Sequence, residues 1–226
     1  MMELTAEQLT EGVILHFDKP KHWSSFKLVK QVKRYTKAKK VGHAGTLDPL
    51  ATGVVIICLG RATKLISTLQ ELPKVYTGTI TLGATTPCFD MEQEIDKTYP
   101  TAHITNKMII DTAKTFEGEI LQTPPAFSAV KVNGSRAYKL ARQGETPKIN
   151  PKLVQIDQFE ITRIALPEVD FRITCGKGTY IRSLARDLGI ALNSGGYLTN
   201  LVRESIGKYS LENCIPLEKL ENIVIH

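Results

Sequence analysis

The feature that most constrains this fold is a glycine-rich loop that leads directly into a strongly apolar segment. Residues 42–53 contain His43, Asp48, Pro49 and three glycines. Residues 54–60 are apolar, rich in β-branched side chains and closed by glycine, which predicts a buried strand. Catalytic residues are often placed on loops that a rigid core element holds. Asp48 is therefore the first candidate functional residue, and the ordinary alternative is an Asx turn, in which its carboxylate binds nearby backbone.

Composition narrows the class of protein. The chain has 226 residues, of which 42% are hydrophobic and 23% are charged, as in an ordinary globular protein. A net charge of +6 favours a polyanionic partner, although a merely basic protein would show the same value. Residues 1–12 lack the order of a signal peptide, and no apolar run approaches the ~20 residues of a membrane helix. We therefore expect a cytoplasmic protein that does not enter a membrane.

The cysteines do not indicate a metal site or a disulfide framework. They are far apart in the sequence, without any C-x-x-C pair, and are Cys58, Cys88, Cys175 and Cys214. This spacing is typical of free thiols in a reducing compartment.

Hydrophobic periodicity predicts an alternation of strands and helices. Strands are predicted at residues 13–20, 54–60, 74–82, 127–132, 154–166, 169–175 and 195–203. Helices are predicted at residues 26–37, 61–69, 104–116, 135–143 and 183–192, with Ser135 as a cap. The acidic residues 90–101 are predicted to form an exposed loop with no assigned role. If the strand before Tyr180 continues through Arg182, both side chains project to one face.

Two segments are strongly basic. Residues 19–40 contain nine Lys or Arg side chains and no acidic one, which indicates either a solvated helix face or positive charge close to Asp48. Residues 124–152, here called the basic arm, contain Asn133-Gly134, a strong tight-turn pair. Glu145 is the only acidic residue among its many cations. The arm is either a solvated hairpin or a grip on a phosphate backbone.

Several stretches, taken in order, resemble a known family. They are Asp18-Lys19-Pro20 with Trp23-Ser24-Ser25, residues 42–53, Val75-Tyr76, residues 122–125 with 131–134, residues 178–185, and Gly195-Gly196 with Leu201. Any one of these motifs would be a weak signal, whereas the ordered set spans nearly the whole chain. The chain thereby resembles the TruB-type family, the bacterial tRNA pseudouridine-55 synthases.

The resemblance implies a fold and a reaction. The implied fold is the α+β pseudouridine synthase fold, a mixed, largely antiparallel sheet flanked by helices, with the protruding basic arm. It would form a single catalytic domain over residues 1–226, without the C-terminal PUA-type domain that many members carry. The implied reaction converts a uridine in the T loop of tRNA to pseudouridine, with the T stem-loop as partner and no cofactor or metal. We expect the protein to be a monomer.

The same resemblance implies roles for individual residues. Asp48 is the nucleophile, Tyr76 stacks on the target base and assists proton removal, and Arg182 pairs with Asp48. We therefore expect the Asp48 carboxylate within salt-bridge reach of the Arg182 guanidinium, with Tyr76 beside them. The other implied substrate-binding residues are His43, Tyr180, Leu201, Lys19, Lys64, Lys131 and Arg142.

Rival functions remain at this stage. A non-catalytic RNA-binding or tRNA-folding protein could present the same surface, and a pseudouridine synthase could act on another RNA. A nucleotide hydrolase is disfavoured because the sequence has no P-loop motif.

Overall fold

The computed structural model describes residues 2–132, 134–221 and 223–225. The chain forms two compact units: the first contains the residues up to Tyr76 and those from Leu201 onward, and the second contains Thr77–Asn200. Among the described residues, no helix is both long and apolar enough to cross a membrane. The expected single domain with an arm stays a prediction.

The first elements of the chain lie mainly in the first unit. They are β1 (Met2–Leu4), α1 (Ala6–Glu11), β2 (Val13–Lys19), α2 (Ser25–Thr36), β3 (Val41–Ala44), β4 (Thr52–Leu59), a 3₁₀ segment (Gly60–Leu65), α3 (Ile66–Glu71) and β5 (Lys74–Leu82).

The remaining elements complete the second unit and return to the first. They are β6 (Ala84–Thr85), β7 (Lys97–Thr98), α4 (Asn106–Lys114), β8 (Gly118–Gln122), β9 (Lys131–Val132), β10 (Ser135–Arg136), α5 (Ala137–Arg142), β11 (Lys152–Ala165), β12 (Glu168–Cys175), α6 (Ile181–Ala191), β13 (Gly196–Ile206), β14 (Tyr209–Ser210), two 3₁₀ turns (Leu211–Asn213 and Leu217–Leu220) and β15 (Ile223–Ile225).

The first unit is built around β4. Strand β2 pairs with it antiparallel from Val13↔Leu59 to Lys19↔Gly53, and β3 pairs with it antiparallel. The start of β4 also pairs in parallel with the end of β13, through Val202↔Thr52 and Arg203↔Gly53. Residues 54–59 are consequently fully buried, and each such aliphatic side chain contributes about 1.5–3 kcal/mol of hydrophobic stabilisation. The strand predicted at residues 54–60 is confirmed.

Helix α2 is amphipathic. Its N-cap is Ser24, whose hydroxyl accepts from the backbone N–H of Lys27 at 3.0 Å. The helix buries Leu28, Val29 and Val32 on one face, and Lys37 ends it in the left-handed region at φ 51°. The predicted helix at residues 26–37 is thus confirmed to within about one residue.

The second unit contains a sheet in the order β13–β5–β12–β11–β8. Strand β11 pairs antiparallel with both β12 and β8. Helix α6 buries Leu184, Ala185 and Leu188. A Cβ on Gly189 would lie 2.4 Å from the backbone nitrogen of Gly196, so only glycine permits this helix to approach β13 so closely.

Three expectations about local structure in the second unit were wrong. Strand β8 was not expected, and it forms because residues 118–122 find a pairing partner in β11. Of the strand expected at 127–132, only Lys131–Val132 forms, with Ser135–Arg136 as its partner. The following helix begins at Ala137 with Arg136 as N-cap, because Ser135 is occupied in that small hairpin. Asn133 of the predicted turn lies outside the described residues.

Two further details differ from expectation. Tyr180 and Arg182 do not share a strand face, because α6 begins at Ile181 and Tyr180 is its N-cap residue. The loop at residues 90–101 is largely exposed as predicted, but Asp90 is only 5% exposed. A buried carboxylate requires compensating partners, which are described below.

Candidate active site

The loop that carries Asp48, here called the Asp48 loop (residues 45–51), connects β3 to β4. It turns through a backbone hydrogen bond from Ala51 N–H to the Asp48 carbonyl at 3.2 Å. The Ser25 hydroxyl, at the start of α2, accepts from the Leu47 N–H at 2.9 Å and lies 3.1 Å from the Leu47 carbonyl, to which it donates. The residue before Asp48 is therefore fixed to a helix.

Lys19 supports the other side of this loop. Its side chain is fully buried, and its ammonium donates to the carbonyls of Pro20 at 3.0 Å, Trp23 at 2.7 Å and Pro49 at 3.3 Å. Burial lowers the pKa of Lys19 to about 8, against the opposing effect of the Asp48 carboxylate. The ammonium thus braces the residue after Asp48 and is turned away from any surface where it would meet a phosphate.

Arg203 is a third support, which the sequence did not reveal. It lies on β13 and is 1% exposed. Its guanidinium donates to the carbonyls of Val54 at 2.7 Å, Thr46 at 3.4 Å and Gly45 at 3.2 Å. Because one rigid planar group holds three carbonyls, it ties the strand and the loop into one geometry.

His43 lies on β3, just before the loop. Its Nε2 is 3.1 Å from the Thr46 hydroxyl oxygen. Burial, and secondarily the positive charge of Arg203, lower the pKa of His43. The neutral form of the imidazole is therefore favoured beside a loop that two buried cations, Lys19 and Arg203, already contact.

The remaining predicted residues of the first unit lie on its strands and its 3₁₀ segment. Tyr76 is buried on β5, a strand whose residues alternate between buried and half-buried. Leu201 is buried on β13, two residues before Arg203. Lys64 is exposed on the 3₁₀ segment.

Arg182 belongs to the second unit and has an ionic partner there. It is 5% exposed, and its guanidinium lies 3.6 Å from the Asp90 carboxylate. It also donates to the carbonyls of Cys88 and Phe127, each at 3.1 Å. Asp90 was not predicted as a site residue. The sequence contained no usable signal for it, because a single acidic residue in an acidic stretch does not reveal burial.

Tyr180 is held in place by its backbone. Its N–H donates to the side-chain oxygen of Gln122 at 2.8 Å, and the Gln122 amide donates back to the Tyr180 carbonyl at 3.1 Å. The adjacent Ser183 donates to the Thr123 carbonyl at 2.8 Å. The end of β8 therefore fixes the start of α6, which carries both Tyr180 and Arg182.

The basic arm presents its predicted cations at the surface. Lys131 on β9 and Arg142 at the end of α5 both reach solvent. The Arg142 guanidinium lies 5.8 Å from the centre of the Tyr138 ring, and Arg136 donates to the Ala129 carbonyl at 2.9 Å. The proximity of Asp48 to Arg182 and Tyr76 stays a prediction.

The first unit therefore offers a carboxylate on a braced loop, with buried cations that keep the backbone in place. Such a carboxylate can serve as a nucleophile or as a base. Within the described ranges, no group of three or more His, Cys, Asp or Glu side chains is placed to hold a metal ion. The four cysteines are free.

Known proteins match this chain over most of its length. A tRNA pseudouridine synthase B from Bacteroides fragilis is 54% identical over 211 residues, which is 91% of this chain and 91% of that protein. A protein of the same name from Flavobacterium johnsoniae is 53% identical over 225 residues, 96% of this chain and 98% of that protein.

A solved structure supports the fold. A chain in the crystal structure of a Cbf5-Nop10-Gar1 complex matches with a TM-score of 0.73 and 28% identity, over 96% of this chain and 55% of that chain. The present chain thus spans about half of that longer one. The expected mixed α+β fold, with a largely antiparallel sheet flanked by helices, is confirmed.

The family assignment follows from the sequence match. Residues 33–181 match the N-terminal domain of the TruB family pseudouridylate synthases, and this range includes the Asp48 loop, Tyr76 and the start of α6. The relatives above extend the match to nearly the whole chain. The chain belongs to the TruB family of pseudouridylate synthases and is thus an isomerase.

Proposed function

We propose that this protein converts a uridine in the T loop of tRNA to pseudouridine, with Asp48 as the nucleophile. The observation that carries the proposal is the Asp48 loop, which Ser25, Lys19 and Arg203 hold from three directions. It lies inside the range that matches the TruB family. The relatives' shared name, tRNA pseudouridine synthase B, supports tRNA as the substrate.

The reaction is an isomerisation that balances without any redox partner. The bond between N1 of uracil and C1′ of ribose breaks, the base turns, and C5 bonds to C1′. The proton on C5 is then lost, and N1 gains a proton. Asp48 can attack C1′, attack the base, or remove a sugar proton to give a glycal. All three routes need a carboxylate held at a fixed position, which the braced loop supplies.

The target base must leave its stack to reach Asp48. Flipping costs a few kcal/mol, and stacking on an aromatic side chain returns about 1–3 kcal/mol. Tyr76 is proposed to stack on the base and to assist removal of the C5 proton. Tyr180, His43 and Leu201 are proposed to line the site of the flipped nucleotide.

Arg182 is proposed to pair with Asp48 and keep it ionised and oriented. Arg182 is buried, and its contact with the Asp90 carboxylate holds the guanidinium in place within the second unit. Lys64, Lys131 and Arg142 are surface cations suited to phosphate contacts. Lys19 is proposed to help substrate binding indirectly, through the loop it braces.

The experiment uses a T-arm hairpin transcript with tritium at C5 of its uridines, mixed with purified protein without added metal. Tritium release follows the isomerisation directly. We expect release by the wild type and by Asp111→Asn, the matched control, whose carboxylate is exposed on α4. We expect Asp48→Asn to release none above background while still binding the RNA.

Other outcomes would redirect the assignment. Salt-sensitive RNA binding without release from any T-arm substrate would favour a binding or tRNA-folding protein. Release from a different hairpin alone would indicate another RNA target. The proposal also takes the protein to be a cytoplasmic monomer, which light scattering in solution and cell fractionation would test.

A further inference from the structure

Helix α2 carries a one-sided cationic surface that the proposed chemistry does not use. Five side chains form it, here called the basic face: Lys27, Lys30, Lys33, Arg34 and Lys37. Residues 19–40 contain no Asp or Glu. Within the described part of the chain, none of the five forms an ion pair. Their charge is therefore left uncompensated by the protein.

Part of this charge, in the first turn and middle of the helix, works against the stability of the helix. Lys27 occupies the first turn, where the helix dipole favours an acidic side chain. Lys30 and Arg34 are four residues apart, so like charges face each other along the helix. A solvated helix is more stable with both signs of charge interspersed. The uniform charge is the arrangement expected of a surface that meets a polyanion.

Two aromatic rings accompany these cations. Phe26 is 61% exposed on α2, and the Lys30 ammonium lies 4.9 Å from the centre of its ring. The Lys27 ammonium lies 4.3 Å from the centre of the Trp23 ring. Aromatic rings between cations are typical of single-stranded nucleic acid sites, where they provide stacking surfaces beside the phosphate contacts.

The position of α2 links this surface to the Asp48 loop. The helix starts at Ser25, which is hydrogen-bonded to Leu47. The preceding turn is tied to the loop through His22 N–H and the Pro49 carbonyl at 2.7 Å. From there the 12 residues of α2 extend for roughly 18 Å. The start of this helix therefore lies beside the loop that carries Asp48.

We propose that the basic face of α2, with Trp23 and Phe26, binds the phosphate backbone of the substrate RNA next to the target nucleotide. This inference rests on the proposed function for the identity of the RNA. The contact adds affinity and salt dependence, since each neutralised phosphate releases a counterion. It is separate from the contacts of the basic arm.

The test is the double variant Lys27→Glu with Lys30→Glu. Both changes should stabilise helix α2. The first places an acidic side chain in the first turn, and the second places one four residues before Arg34. We expect unchanged or raised thermal stability, yet a Kd for full-length tRNA that is at least tenfold weaker at about 0.1 M salt. The slope of log Kd against log salt should fall by about 2. The loss should appear in Kd more than in the saturating rate of tritium release.

The control makes the same change of charge elsewhere. Lys107 and Lys114 are exposed on α4, and their replacement by Glu should leave the tRNA Kd within about twofold of the wild-type value, since α4 lies outside the proposed contact. Equal weakening by both double variants would overturn the proposal, since net charge alone would then explain the effect. An unchanged Kd for tRNA in the α2 variant would show that the basic face is only exposed to solvent and does not bind RNA, which would also overturn the proposal.

Two further outcomes separate this inference from others. If the α2 variant loses binding to anionic lipid vesicles but keeps its tRNA affinity, the surface serves a membrane and the inference is wrong. If wild-type protein releases no tritium while the α2 variant alone loses RNA affinity, the isomerase proposal fails and the phosphate contact stands.

Discussion

The Asp48 loop and the basic arm are built in opposite ways. The Asp48 loop is short, and Ser25, Lys19 and Arg203 hold its backbone on several sides. The arm has strands of two residues, a helix of six residues and a mostly exposed surface. Chemistry requires a carboxylate placed to within a fraction of an ångström, whereas a grip on an RNA backbone has to adapt to its partner. The difference is what the proposed roles require: a fixed position for Asp48 and an adaptable surface for RNA.

One glycine just after the Asp48 loop and one in the basic arm allow the two regions to be compared by experiment. Gly53, at the start of β4, has φ +109°, and a Cβ there would lie 2.3 Å from the Arg203 carbonyl oxygen. Gly144, in the arm, has φ +82° and nothing within 4 Å of such a Cβ. Both backbone conformations favour glycine, but only at Gly53 would a side chain also overlap neighbouring backbone atoms.

The largest expected effect is therefore on folding stability. We expect Gly53→Ala to lower the free energy of unfolding by at least about 3 kcal/mol, because backbone must move to relieve the overlap. Gly144→Ala should cost only about 1 kcal/mol, the ordinary penalty of a left-handed alanine. Urea denaturation of the two variants measures the difference. Equal losses would show that the arm is as tightly packed as the loop.

A smaller effect is expected on catalysis when Arg203 is replaced. Arg203→Met leaves the carbonyls of Gly45 and Thr46 without their buried donor, so the Asp48 loop should lose its geometry. We expect single-turnover tritium release to fall about 100-fold, equivalent to about 2.7 kcal/mol. The Kd for RNA should change much less, and Arg203→Lys should recover part of the rate because it restores one donor.

Ile206→Ala is the matched control for that experiment. Ile206 is fully buried on the same strand and packs with Val54 and Ile56, so its truncation destabilises the fold without removing a hydrogen bond to the loop. If Ile206→Ala slows tritium release as much as Arg203→Met at equal loss of thermal stability, Arg203 has only a general structural role.

The smallest expected effect concerns the arm. Replacing Lys131 and Arg142 together by Ala should weaken RNA binding about tenfold, equivalent to about 1.4 kcal/mol, and lower the salt slope by about 2. The saturating rate should change less than Kd, because the arm is proposed to hold RNA rather than to place Asp48. Lys107→Ala with Lys114→Ala on α4 supplies the control. If the saturating rate fell while the Kd stayed unchanged, the arm would act on the reaction rather than on RNA binding, and the two regions would not differ in role.

Local sequence patterns predicted the elements that depend on local forces. Strand β5 was predicted with the bounds it has, Lys74–Leu82, because alternating burial is visible in the sequence itself. Helix α2 was predicted because its apolar residues recur at helical spacing within one short segment of the chain. Strand β8 was not predicted, since its existence depends on pairing with β11, a distant segment of the chain, rather than on its own alternation.

The residues that hold the site in place were harder to predict, because their partners are also distant in the chain. Arg203 acts on backbone carbonyls, which every residue has, so no side-chain motif marks its partners. Asp90 is buried against Arg182, a residue far along the chain, in a stretch whose composition indicates exposure. Asp48 itself could be singled out because the glycines and the following apolar strand lie directly beside it.

The contact between Arg203 and the Asp48 loop can form only late in the synthesis of the chain. Arg203 follows its partners by 149 to 158 positions in the chain. A ribosome that adds about 5–20 residues per second needs on the order of ten to thirty seconds to cover that distance. The loop therefore spends most of the chain's synthesis without the group that fixes it, and Asp48, the proposed nucleophile, reaches its final position only as translation nears the C-terminal strands.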